Sequence, residues 1–243
     1  MRAVCAALWL VWAAGAGWAE AACRQALALG LDVSGSVDGR EYRLQLDGLA
    51  AALRDAQVRR AFLAMPQAPV RLIVFEWAGV AQQRRLAGWR TIESAADLEA
   101  VAARLEAAQS GYDDPATAIG AAMRHGAALL AQQAACWQKT LDISGDGPAN
   151  RGAHPRDVGD AELAGITVNG LVIGPASRAN TTKDLTGVKT LEAYYRAHVM
   201  RGQGAFVETA TDFEDFARAM RRKLLREIAP AAVARAAFRP ADQ

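Results

Sequence analysis

Residues Ala26 to Ser36 read ALALGLDVSGS, and the change of character inside this stretch decides the fold. Ala26 to Leu31 is an apolar run with no polar interruption, which suits a strand buried on both faces, as in a parallel sheet. Asp32, Ser34 and Ser36 follow at alternate positions, so an extended turn points one carboxylate and two hydroxyls the same way. Beyond it, Tyr42, Leu46, Leu49, Ala50 and Leu53 recur at helical spacing. Strand, polar loop and amphipathic helix in that order make a βα unit whose polar residues sit at the strand's carboxyl end.

Working outward, the alternation continues. Pro69 to Trp77 predicts a second strand and Gln82 to Trp89 a third, its hairpin partner across Ala78-Gly79. Ser94 with Asp97 resembles a capping box, opening a helix with Leu98, Val101, Ala102 and Leu105 on one side. Thr117 to Leu130 is Ala-rich and helical. Lys139 to Ser144 and Ile166 to Ile173 predict two strands joined by a loop and a short helix near Asp160 to Leu163. Thr190 to Met200 predicts a helix, Ala205 to Thr209 a last strand, and Thr211 with Glu214 a cap for a final helix bearing Phe213, Phe216, Met220 and Leu224. The expected fold is α/β: a doubly wound, mostly parallel central sheet flanked by helices, with one antiparallel edge strand. One domain spans residues 23–228, and the Ala-, Pro- and Arg-rich residues 229–243 are expected to be a flexible tail.

Met1-Arg2, the apolar run Ala3 to Gly17 and the small residues up to Ala22 read as a secretory signal over residues 1–21, cleaved after Ala19 or Ala21. An uncleaved membrane anchor is the alternative; acylation of Cys23 is disfavoured by Glu20, where a lipobox wants an aliphatic residue. No other segment is apolar enough to span a bilayer, so the mature chain is expected to be exported, periplasmic or extracellular, with no integral membrane segment. Removal of the signal takes Cys5 and leaves Cys23 and Cys136, an even pair that in an oxidising compartment favours a disulfide over a catalytic thiol. The formal charge of +2, with arginines and acids interspersed, offers no basic stripe for nucleic acid. His125, His154 and His198 are scattered and read as surface or helix residues.

In an open α/β sheet the binding crevice lies outside the carboxyl ends of the strands, where strand order reverses. Three segments bring oxygen ligands there: Asp32, Ser34 and Ser36; Thr117, at the start of TAIGAAM; and Asp146 in Ser144-Gly145-Asp146-Gly147, after a strand. Carboxylates and hydroxyls without His or Cys favour a hard cation, Mg²⁺ first and Mn²⁺ or Ca²⁺ next. The set resembles the metal-ion-dependent adhesion site (MIDAS) of the von Willebrand factor A (VWA) family: Asp-x-Ser-x-Ser after the first strand, a Thr opening a middle helix, and an Asp in an Asp-Gly turn after the fourth strand. The resemblance implies that Ser34, Ser36 and Thr117 touch the metal in one state or another, with Asp32 and Asp146 holding it directly or through water. It also implies a partner carboxylate completing the octahedron. The match departs from the family at Pro115-Ala116, where Gly-Gly is common. Asp113 and Asp114, just upstream, have three readings, as an added ligand, as occupants of the site from within or as loop-solvating residues; the last is preferred, with Asp114 a candidate for supporting the ligands. Asp142, inside a strand, must be paired or hydrogen-bonded, and is a second candidate for that role. Glu76 reads as a rim residue.

A wider resemblance runs from Ala28 to Ile228. LDVSGSVDGREY, VFEWAG, DISGDGPANRG, GITVNGLVIG, LEAYYR and FEDFARAMRRKLLREI look like a bacterial family of secreted A-type domains known as a domain of unknown function. The strand order this implies makes the first and fourth strands parallel neighbours. Cys23, nine residues before Asp32, and Cys136, ten before Asp146, are then expected to meet in a disulfide at the opposite edge. Three function classes follow: a non-enzymatic binding module that captures an acidic residue of a protein partner through the metal, a metal-dependent hydrolase (phosphoesterase or peptidase), and a structural or assembly protein with an incidental metal site.

Overall fold

The apolar run at Ala26–Leu31 lies at the centre of the sheet, paired on both edges as a strand without polar side chains requires. The computed structural model describes residues 22–111, 114–174 and 182–229, the side chains of 182–186 excepted. The expected signal segment, all of the expected tail but Ala229, and Asp113 lie outside the described residues. Strand β1 (Cys23–Asp32) runs parallel to β2 (Val70–Trp77) on one side and to β4 (Cys136–Gly145) on the other. β3 (Gln83–Ile92) closes one edge antiparallel to β2, while β5 (Ile166–Ile173) and β6 (Val207–Ala210) extend the other in parallel. The order β3-β2-β1-β4-β5-β6 is the doubly wound α/β sheet with one antiparallel edge strand that the sequence predicts.

Helices α1 (Gly39–Arg54), α2 (Ala56–Phe62), α3 (Ala95–Ala107) and α6 (Phe216–Glu227) cover one face, and α4 (Ile119–Ala131) and α5 (Thr182–His198) the other. The helical stripe Tyr42, Leu46, Leu49, Ala50 and Leu53 is fully inside, against Leu27, Leu29 and Leu31 of β1. Cys23 and Cys136 sit directly opposite in the β1–β4 register and form a disulfide, with a Cα–Cα distance of 4.4 Å.

Several local readings change. β1 begins three residues earlier than the hydropathy suggests, because Arg24 and Gln25 find buried acceptors. Arg24 donates to the carbonyls of Ala61, Phe62 and Ile228, and Gln25 to Thr140 and the Glu227 carbonyl. α2 was not foreseen; Asp55 starts it by accepting from the amides of Gln57 and Val58. Asp160 to Leu163 is a turn closed by i to i+3 bonds, and the short helix lies earlier, a 3-10 turn at Pro155–Asp157. Thr211 and Glu214 form no capping box: the Thr211 amide donates to Asp215, and Glu214 pairs with Arg40. Glu76 is wholly buried rather than at the rim, taking Arg84 at 2.7 Å and the Tyr42 hydroxyl at 3.1 Å.

Asp142 also has a place of its own. It lies in the core, ion-paired at 2.8 Å with the buried Lys223 of α6, which also pairs with Glu227 one turn on. Asn169 donates to the same Glu227 carboxylate at 2.7 Å. The strand carboxylate is paired, as burial demands, but it ties α6 to the sheet and makes no hydrogen bond to any of the five oxygen-ligand residues.

Candidate metal centre

Strand order reverses between β1 and β4, since the chain leaves β1 for β2 on one side and β4 starts the other half of the sheet. Asp32 ends β1, and Asp146 immediately follows β4. Val33 donates to the Trp77 carbonyl, carrying the pairing one step past Asp32 before Val37 turns back onto Ser34. Asp38 then caps α1 in a reciprocal capping box with Glu41, which fixes the exit of the loop. A side chain at Gly35 would come within 2.7 Å of the Pro115 backbone, so the Asp32–Ser36 loop lies directly against the segment that carries Thr117.

All five oxygen-bearing residues are joined in one chain of contacts. Asp32 Oδ1 accepts from the Ser34 amide at 2.8 Å; Thr117 Oγ1 donates to Ser34 Oγ at 3.2 Å; Ser34 and Ser36 hydroxyls are 3.4 Å apart; Ser36 Oγ donates to Asp146 Oδ1 at 2.8 Å. Asp32, Ser34 and Thr117 are buried and Ser36 is exposed, so the set runs from the interior to the surface.

Thr117 precedes α4 by two residues instead of standing in its first turn. Its amide donates to Asn150 Oδ1 at 2.8 Å, its carbonyl accepts from the Asn150 amide at 3.0 Å, and the next amide, of Ala118, donates to Ala78. Asn150 therefore clamps Thr117 from both sides. Gln45 is a second residue the sequence reading missed: buried on α1, it donates to the Asp32 carbonyl at 2.9 Å. Its signal was present, a polar side chain next to Leu46 on an otherwise apolar helix face. Asp114 accepts from the Ala116 amide at 2.9 Å and its other oxygen abuts Gly79, so it shapes the approach to Thr117 and is not hydrogen-bonded to the five-residue chain.

The electrostatics fit a hard divalent cation. Asp32 Oδ2 is buried with no hydrogen-bond partner, and neither Asp32 nor Asp146 is ion-paired with a basic side chain among the described residues. Burial first, and the Asp146 charge second, push the Asp32 carboxyl up to about 8; burial also raises Asp146, against the Ser36 hydrogen bond. Two carboxylates facing each other in a partly dry crevice lack positive charge, and their neighbours are neutral hydroxyls. Among the described residues no three His, Cys, Asp or Glu side chains cluster as a metal site, here or elsewhere, so the two carboxylates of this set would have to share an ion with hydroxyls. An oxygen-only set suits Mg²⁺, Mn²⁺ or Ca²⁺ over a thiophilic ion.

Comparison with known proteins gives the family and the fold. The sequence profile of the family described as "Protein of unknown function (DUF1194)" matches residues 22–232. The chain belongs to the DUF1194 family. No curated protein matches it. Among solved structures, this DUF1194 chain is similar to proximal thread matrix protein 1 of the mussel byssus with a zinc-occupied MIDAS motif, at 16% identity and a TM-score of 0.56 over 86% of the chain. It is similar to the pilus adhesin SpaC of Lactobacillus rhamnosus GG at 12% identity and a TM-score of 0.56, again over 86% of the chain. A von Willebrand factor type A protein of Catenulispora acidiphila aligns over 85% of the chain at 15% identity with a TM-score of 0.50. The DUF1194 chain spans 48%, 31% and 43% of these three proteins respectively. At such identities the likeness establishes the fold, which is that of a VWA domain.

Proposed function

We propose that this protein is an exported interaction module that holds one divalent cation, Mg²⁺ by preference, at Asp32, Ser34, Ser36, Thr117 and Asp146, and through it takes up an acidic side chain of a protein partner. The observation that carries the reading is the linked set of five oxygen-bearing side chains from three loops, built around a buried carboxylate oxygen without a partner. Asp32 and Asp146 supply two negative charges and the three hydroxyls none, so a divalent ion is neutralised without being over-satisfied. When bound, the cation supplies an electrophilic position to which a further carboxylate can bind. Asn150 and Gln45 hold Thr117 and the end of β1, the supporting row such a site needs.

Support for partner binding comes from the mussel byssus matrix protein, whose MIDAS motif takes zinc, and from the pilus adhesin with the same fold. The Cys23–Cys136 disulfide fits an oxidising compartment, periplasmic or extracellular. Among the described residues no helix is long and apolar enough to cross a membrane. A phosphoesterase or peptidase would call for a second ion or a separate positioned base. In a purely structural role, the Ser34 amide would offset only part of the cost of burying Asp32 beside Asp146.

The test is a titration of the metal-stripped protein with Mn²⁺, followed by electron paramagnetic resonance, and with Mg²⁺ by calorimetry. One equivalent is expected to bind, and binding is expected to vanish in Asp32→Ala with the circular dichroism spectrum retained. Immobilised protein should then capture a carboxylate-rich peptide library in Mg²⁺ and release it in EDTA. Stoichiometric binding that survives Asp32→Ala, or capture indifferent to EDTA, refutes the assignment.

A further inference from the structure

Resting on that reading, a feature of the LEAYYR segment acquires a role. The segment lies in α5, and its two consecutive tyrosines both reach the β4 end of the site. Tyr194 Oη accepts from the Ala149 amide at 3.2 Å and meets His154 Nε2 at 3.2 Å, on the loop that follows Asp146. Tyr195 points inward instead. Its side chain is wholly buried, its ring lies against Gly170, where an added Cβ would come within 2.7 Å of Cδ1, and its hydroxyl has no hydrogen-bond partner among the described residues.

That hydroxyl stands beside the other unpartnered atom of the region. A Cβ placed on Gly145 would lie 2.9 Å from Asp32 Oδ2 and closer still to Tyr195 Oη. The two oxygens are therefore separated by less than twice 2.9 Å, both beside a residue that has no side chain to part them. One is an acceptor without a donor and the other a donor without an acceptor, each in a setting where an unpaired polar atom is costly.

We infer that Tyr195 is a positioning residue for the metal centre: its O–H reaches Asp32 Oδ2 across the face of Gly145 through one bridging water, and so fixes the orientation of the Asp32 carboxylate. A phenol is protonated across the neutral range, so the hydroxyl is available as a donor. Gly145 is required by the same arrangement, because any side chain there would wedge the two oxygens apart. The role resembles that of the partners of metal-binding carboxylates, whose loss weakens metal affinity about 10–100-fold.

The experiment compares wild type with Tyr195→Phe, which keeps the ring in its place against Gly170 and removes only the oxygen. Mn²⁺ and Mg²⁺ affinities are measured by the titrations above, and thermal unfolding is followed in EDTA. A roughly ten-fold or greater loss of metal affinity is expected, with a metal-free melting temperature lowered by a few degrees at most, the loss of a single hydrogen bond. The Mg²⁺-induced tyrosine difference spectrum of the wild type should shrink in the variant. Fluorotyrosine at position 195, a stronger donor of nearly the same shape, should tighten binding. Wild-type affinity in Tyr195→Phe, or unchanged affinity in the fluorotyrosine protein, overturns this inference and leaves the metal site standing. A wild-type protein that binds no divalent cation overturns both.

Discussion

Replacing Cys23 and Cys136 together by alanine tests how this fold divides stability from function. The disulfide joins residues 113 apart in sequence and closes a loop containing β1, α1, α2, β2, β3, α3 and α4, about half of the described chain. In the loop-entropy model the cross-link removes roughly 2.1 + 1.5R ln n cal/mol/K from the unfolded ensemble, which for n = 113 is about 5 kcal/mol at 25 °C. For a domain of this size each kcal/mol moves the midpoint by about 2–4 °C, so the variant should melt roughly 10–20 °C below wild type. The bond sits at the amino end of β1 and β4, while Asp32 and Asp146 stand at the carboxyl end, a full strand length away. Metal affinity should therefore be unchanged below the new midpoint. Urea unfolding of wild type, of reduced wild type and of the double variant, each with and without Mg²⁺, measures both quantities. A loss of stability under about 1 kcal/mol would refute the entropic argument. A metal affinity that falls with the disulfide, at temperatures where the variant is folded, would refute the separation of the two ends.

Other outcomes follow from the same geometry. Asp32, held up to about 8, and Asp142, pushed up to about 7 by burial against the pull of Lys223, bind more protons folded than unfolded. The metal-free protein should therefore lose stability as pH rises from about 4 to 8, and Mg²⁺ should restore the Asp32 share alone, so the gap between melts in Mg²⁺ and EDTA should widen over that window. A gap that narrows with rising pH would contradict the charge picture of the site. Lys223→Met should cost about 3–5 kcal/mol in urea unfolding, since it strands Asp142 as a buried, unpaired carboxylate and leaves Glu227 with Asn169 alone. A cost below about 1 kcal/mol would mean that these groups are neutral in the folded protein.

Much of the fold was legible because its signals are local. An unbroken apolar run followed by alternating Asp and Ser describes the end of a buried strand wherever it occurs, and the stripe from Tyr42 to Leu53 has a helical period whatever it packs against. The five residues of the candidate site were legible for the same reason: each stands at a boundary between elements, in a short motif of its own. The local reading failed where a polar side chain is satisfied by something distant in sequence. Arg24 and Gln25 look like loop residues until the carbonyls at Ala61 and Glu227 are supplied, and Glu76 looks like a rim residue until Arg84 and Tyr42 close over it.

The sequence by itself determined the class of fold and marked out the oxygen-bearing residues that the structure brings together as a candidate site, because hydrophobic period and ligand chemistry belong to individual side chains. The roles of Asn150, Gln45 and Tyr195, and the diversion of Asp142 to Lys223, belong to the tertiary structure alone. Each depends on which groups meet across strands and helices separated by many residues, and the free energy of a buried polar atom is set by the partner it meets there.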